Sequence, residues 1–267
     1  MSENADLTFL RLTRPSPGVA LITLDDPARR NVMSDEMTAS WVHAIDGLAA
    51  DPDLRAVVVT GAGTSFCSGG DIGWIASEPD ATVDHLRHRM IAFYRAWLSI
   101  RRLEVPTIAA INGHAIGAGL CMPLACDIRY AAAGAKVGAP FVKLGMHPGM
   151  AATYLFPDVV GAAAARDLLL TGRIVGAEEA LGLGLVSRVI PDDGFLDEVL
   201  RTAAQVAATA PVASRYTKLA LAGAGHPDIE AALQWEALAQ PVTLATADLQ
   251  EGIAAAKEKR DPTFTGR

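Results

Sequence analysis

Aromatic residues are scarce in this 267-residue chain, at 6%, and no apolar run approaches the roughly 18 residues that a membrane-spanning helix needs. No membrane partner is expected. There are three cysteines, Cys67, Cys121 and Cys126, with no Cys-x-x-Cys pair, so neither a disulfide framework nor a zinc knuckle is expected. The 23 basic residues are outnumbered by 30 acidic ones, a net charge of −7, which leaves too little basic surface for broad nucleic-acid binding. The opening "MSENADLTF" lacks the basic start and apolar core of a secretory leader, and with reduced thiols it points to a cytoplasmic location.

Several chemical fingerprints are missing as well. "GAGTSF" (61–66) has Phe66 where a dinucleotide turn requires its last glycine, and "GAGLCM" (117–122) ends in Met122. There is no Gly-x-Ser-x-Gly elbow, and no Lys-Ser or Lys-Thr pair follows the glycines to make a phosphate loop. His85 and His88 stand three apart without a third ligand, which favours a solvated helix face over a metal site.

What is present is a chain 51% apolar, rich in Ala and Gly, and long enough for one large core or a core with an appendage. "VALITL" (19–24), "AVVVT" (56–60) and "TIAAI" (107–111) read as strands buried on both faces. Met37, Trp41, Ile45 and Leu48 recur at helical spacing behind the candidate cap Ser34, and 82–103 repeats the pattern. Strands alternating with helices predict an α/β core. After "GLVSRVIP" (184–191), read as a last strand, only helices are expected, over about 194–209, 212–223, 228–240 and 243–259. A boundary is therefore placed near residue 190.

Two glycine-rich turns follow strands. "GAGTSFCSGGDI" (61–72) comes after 56–60, and "NGHAIGAGL" (112–120) after 107–111. Small residues there let a ligand lie against bare backbone, and two turns can aim two N–H groups at one oxygen. Such an oxyanion site is one reading; two tight turns with no ligand is the other.

"SFCSGGDI", "PTIAAINGHAIGAGLCMPLACDIRYAA", "KLGMHPG" and "LTGRIVGAEEALGLGLVSRVIP" resemble successive blocks of the crotonase (enoyl-CoA hydratase/isomerase) superfamily, from about residue 7 to residue 264. The resemblance implies a spiral of ββα turns over residues 1–190, holding an acyl-CoA pocket, and a helical oligomerisation region over 191–267. It also implies a homotrimer or dimer of trimers, an acyl-CoA thioester as ligand, and no cofactor beyond the coenzyme A of the substrate. Carried onto this chain, the two thioester-binding N–H groups fall on Ser68 and Ala118. Gly69, Gly70, Asp71, Ile72, Gly117 and Phe141 are expected around the substrate, with Asp71 better suited to capping the next helix than to chemistry. "PARRNVMS" (27–34) resembles the segment beside the nucleotide, making Arg29 and Arg30 candidate phosphate donors. Lys257, Lys259 and Arg260 are candidates to reach a neighbouring subunit's CoA phosphates, or simply favourable charges at a helix C-terminus.

The acid and base positions depart from the family. Its hydratases use two glutamates, one on the helix after the second turn and one in a Pro-Glu pair; here those positions read Cys121 and Phe141. Adding water across a double bond needs proton transfer at two carbons, which Phe141 cannot provide. Cys121 remains a thiol candidate or a small core residue, and His147 in "GMHPG" a titratable candidate or a loop brace. His114 has only the turn position in its favour, and Pro123 is tolerable if its helix starts near Leu120.

Overall fold

A computed structural model of the protein describes residues 7–222 and 225–267. The chain enters on an antiparallel hairpin, β1 (Leu10–Ser16) and β2 (Val19–Leu24). Ser34 caps α1 (Asp35–Ala49), its Oγ accepting from Met37 N–H at 3.3 Å, and Met37, Trp41, Ile45 and Leu48 are buried as their spacing requires. β3 (Ala56–Gly61) runs parallel to β2, followed by a short β4 (Ser65–Cys67), the four-residue α2 (Ile72–Ile75) and α3 (Val83–Trp97).

The unit then repeats. β5 (Thr107–Ile111) lies parallel to β3, β6 (His114–Ile116) parallel to β4, and α4 (Ala118–Leu124) follows. β7 (Ile128–Ala132) joins β5 and β8 (Lys136–Gly138) joins β6. Next come α5 (Ala152–Thr171), broken at Gly161, then β9 (Ile174–Gly176), α6 (Ala177–Gly182) and β10 (Arg188–Ile190). Two sheets result, in the orders β1-β2-β3-β5-β7-β10 and β4-β6-β8-β9. The pairs β3–β4, β5–β6 and β7–β8 each contribute one strand to each sheet before a helix, which is the expected ββα spiral.

β2, β3 and β5 are buried along their whole length because α1 and α3 cover one face and α7 (Phe195–Ala207) the other. Phe195, Val199 and Ala203 of α7 pack on Val19, Val58 and Ile108. The helical region therefore begins with a helix that closes the sheet, and α8 (Pro211–Leu221), α9 (Ile229–Leu244) and α10 (Ala247–Glu258) follow. None of the helices among the described residues is long and apolar enough to cross a membrane.

Several boundaries differ from the expected ones. The helix of 82–103 ends as α3 at Trp97 and tightens into a 3-10 turn over 98–102. α9 continues past Pro241 to Leu244, since a proline in a last turn forfeits one hydrogen bond without ending the helix. The last strand shortens to 188–190, and residue 223 of the expected 212–223 helix lies outside the described residues. α4 starts at Ala118, two residues before the start that Pro123 was expected to require. Pro123 has no N–H to donate to the carbonyl of Gly119 four residues back, so α4 forgoes that one hydrogen bond.

Candidate active site

The two glycine-rich segments are not simple strand-to-helix turns, because β4 and β6 interrupt them and pair in parallel. That pairing brings the two helix entrances side by side. A Cβ on Gly119 would sit 2.3 Å from the Cys67 carbonyl oxygen and 2.9 Å from Gly69 N, so only glycine lets the second turn pack against the backbone of the first. Gly117, at φ 60° and ψ −124°, supplies the reversal from which α4 starts.

Two side-chain amides, the buried Asn31 and the half-buried Asn112, hold the first turn in place. Asn31 donates from Nδ2 to the carbonyls of Ala62, Ser65 and Phe66, at 3.0, 2.8 and 3.2 Å, while its Oδ1 accepts from Asp26 N–H at 2.9 Å. Asn112 reaches across from the second turn, accepting from Gly61 N–H at 3.0 Å and donating to the Gly63 carbonyl at 3.0 Å. Asp71 caps α2, accepting from Gly73 and Trp74 N–H at 2.8 and 3.3 Å.

The donor expected at Ser68 must be corrected. Its N–H already donates to the Arg30 carbonyl at 3.0 Å, and its Oγ donates to the Arg29 carbonyl at 3.4 Å. A group committed to a backbone acceptor is not open to a ligand oxygen. The N–H groups of Gly70 and Ala118, by contrast, make no hydrogen bond to any described residue. Ala118 is the first residue of α4 and has no positive φ, so its Cβ costs nothing there.

Both free donors border one cavity of about 200 Å³. Ser68, Gly69, Ile72 and Gly117 also line it, and the Phe141 ring lies over Gly117, 3.8 Å from where a Cβ would stand. Trp74, Phe93 and Met150 extend the apolar wall, with Trp74 and Phe93 ring centroids 5.3 Å apart. A larger groove of about 780 Å³ under α8 contains Asp127 and Lys218, already paired at 2.8 Å.

Cys121 is fully buried behind this wall rather than along it, its Sγ 3.8 Å from the Gly149 carbonyl oxygen. Burial pushes its thiol up to about 12, leaving roughly one part in 10⁵ as thiolate near neutral pH. His147 is exposed on the cavity's edge. Its Nδ1 is 2.8 Å from the Pro148 carbonyl oxygen, an acceptor only, so the ring proton resides on Nδ1 and Nε2 is left as the basic nitrogen. Tyr94, which no sequence pattern singled out, also borders the cavity from α3. Its position depends on α3 coming alongside the Gly149 loop, a long-range approach that a helical repeat does not announce.

The cationic candidates divide. Arg29 is engaged by Asp26 at 2.6 Å and lies over the Phe9 ring, whereas Arg30 is exposed without an ion pair among the described residues, on the segment tied to the first turn. Arg260 is held by Glu251 and Glu258. Lys257 and Lys259 are exposed at the end of α10, which does not line the cavity. His85 and His88 face Glu78 and Asp84 on the exposed side of α3, and no metal-binding group of three or more His, Cys, Asp or Glu side chains occurs among the described residues.

Comparison with known proteins adds independent information. The sequence profile described as enoyl-CoA hydratase/isomerase matches residues 14–267. A Thermus thermophilus protein is 40% identical over 249 residues, covering 92% of this chain and 97% of its own length. Among solved structures, the enoyl-CoA hydratase of Bacillus anthracis superposes with a TM-score of 0.91 at 31% identity, covering 97% of this chain and 100% of that one. A subunit of a Geobacillus kaustophilus protein of like description gives 0.89 at 31% identity, over 98% and 100%.

Proposed function

The chain belongs to the enoyl-CoA hydratase/isomerase family, and from that premise we propose that it binds an acyl-CoA thioester in the cavity beside α4 and polarises the thioester carbonyl. The observation that carries this reading is the pair of open N–H groups, Gly70 and Ala118, at one apolar cavity. Each donor aimed at a developing enolate oxygen contributes about 2.7–4 kcal/mol to its stabilisation. The apolar wall takes the acyl chain, and the exposed Arg30, whose carbonyl holds the N–H of the cavity-lining Ser68, is the candidate cation for a CoA phosphate.

Two-glutamate hydration is not part of the proposal, because Cys121 and Phe141 stand at the carboxylate positions. His147 Nε2 is the base this geometry favours. Purified protein is expected to bind butanoyl-CoA and to hydrate crotonyl-CoA at a small fraction of the rate of a two-glutamate enzyme. Full hydratase turnover would overturn the second half, and absence of butanoyl-CoA binding the first.

A non-catalytic acyl-CoA carrier is the second reading, favoured by the lack of any carboxylate among the described residues that line the cavity, the nearby Asp71 being taken up in capping α2. It requires affinity with no product. Self-association is supported by α9, none of whose residues is buried and which exposes Ile229, Leu233, Leu238, Val242 and Leu244. A homotrimer or dimer of trimers would cover that face.

A further inference from the structure

We propose that Tyr94 is the proton donor to the acyl chain, its hydroxyl taking over a task for which α4 offers no carboxylate; this rests on the acyl-CoA reading above. Tyr94 follows the buried Phe93 on α3 and presents a half-buried ring to the cavity. Among the described residues its hydroxyl makes no hydrogen bond, and it is not one of the fully buried unpartnered polar atoms, so water or a ligand in the cavity can reach it.

The location of that hydroxyl is specific. A Cβ on Gly149 would stand 2.5 Å from Tyr94 Oη, so the hydroxyl rests directly against Gly149. The carbonyl of the same Gly149 faces Cys121 Sγ at 3.8 Å. The phenol from α3 and the thiol from α4 thus converge on one residue of the cavity wall. A short side chain at 121 and no side chain at 149 together leave space for a hydroxyl delivered from a third element.

Among the described residues, the side chains bordering the cavity that carry a hydroxyl or an imidazole are Ser68, whose hydroxyl is taken by the Arg29 carbonyl, His147 and Tyr94. Burial first, and the neighbouring Cys121 second, hold the phenol above its ordinary range, so it keeps its proton at working pH. It is therefore an acid, with His147 Nε2 as its complementary base.

On a 3-enoyl thioester the pair performs a double-bond shift. Nε2 removes an α-proton, and the C–H electron pair moves into the chain as a dienolate whose oxygen faces Gly70 and Ala118 N–H. The dienolate then takes the Tyr94 hydroxyl proton at the γ-carbon, the double bond settles between the α- and β-carbons, and a phenolate remains. The imidazolium proton returns to that phenolate through solvent, so no atom or electron is gained or lost overall.

The experiment follows conversion of 3-butenoyl-CoA to crotonyl-CoA and, separately, binding of butanoyl-CoA. Tyr94→Phe is expected to lower kcat by about 10²–10⁴-fold with butanoyl-CoA affinity unchanged. Gly149→Ala, which displaces the hydroxyl while keeping the ring, is expected to lose a similar factor, and the double variant to lose little more than either single one. Unchanged kcat in Tyr94→Phe, a loss matched by an equal loss of affinity, or a wild type that binds butanoyl-CoA but leaves 3-butenoyl-CoA unconverted would each overturn the role of Tyr94 while sparing acyl-CoA binding. If butanoyl-CoA does not bind at all, the acyl-CoA reading falls and this inference with it.

Discussion

Replacing Gly119 by alanine tests whether the two turns are locked together by backbone contact. The new Cβ would lie 2.3 Å from Cys67 O, 2.8 Å from Cys67 C and 2.9 Å from Gly69 N. Ordinary contact begins near about 3.5 Å, so the turns must part by about 1 Å. Overpacking costs about 1–3 kcal/mol, and the upper end applies because the obstruction is backbone that no rotamer change can move. At about 2–4 °C per kcal/mol for a chain of this size, Tm should fall by about 6–12 °C. The same displacement separates Gly70 N–H from Ala118 N–H, and a misplacement of about 1 Å at a reacting centre can cost about 10²-fold in rate. Thermal denaturation followed by circular dichroism, with butanoyl-CoA titration on the folded variant, measures both effects. Gly182→Ala is the control, since nothing lies within 4 Å of its Cβ and alanine favours the helix. If Gly119→Ala melts with Gly182→Ala and binds as the wild type does, the backbone-lock reasoning is refuted.

Asn31→Ala strands three carbonyls and one N–H that the amide serves, at a fully buried position with φ 54°, and should destabilise by about 2–4 kcal/mol in urea unfolding. Ala118→Pro deletes one open N–H at the first helical position, where proline suits the helix. Near-native Tm should accompany about a 10²–10³-fold loss in 3-butenoyl-CoA turnover. Cys67, Cys121 and Cys126 are all pushed by burial from 9.0 to about 12, so the unfolded chain gives up its thiol protons first as pH rises. Stability is complete below about pH 9 and declines toward pH 12, by about 1.4 kcal/mol per pH unit for each thiol at the steepest, and a flat Tm between pH 8 and 10 would contradict it. The same burial predicts that the three thiols resist alkylation in the native protein and react on unfolding.

Much of the fold was legible because burial on two faces leaves a plain signature. "VALITL", "AVVVT" and "TIAAI" carry unbroken apolar runs, and Ser34 with the 37, 41, 45, 48 stripe marks α1 at both its cap and its buried face. β4, β6, β8 and β9 were not legible. Each is three residues long, too short for a period, and exists only because its partner lies alongside.

The candidate site divides in the same way. The order of residues alone located the two glycine segments, the small Ala118 in the second of them, and the absence of carboxylates at 121 and 141, because glycine, small residues and residue type are properties of single positions. Tertiary structure decided which N–H groups are open. Ser68 and Gly70 stand two residues apart in one motif, yet the Arg30 carbonyl from a distant segment occupies the first and leaves the second free. It also decided that Cys121 is buried and protonated, and that Tyr94 reaches Gly149 from α3. Hydrogen-bond satisfaction and proton affinity depend on what the fold brings within a few ångströms, and the linear sequence does not carry that information.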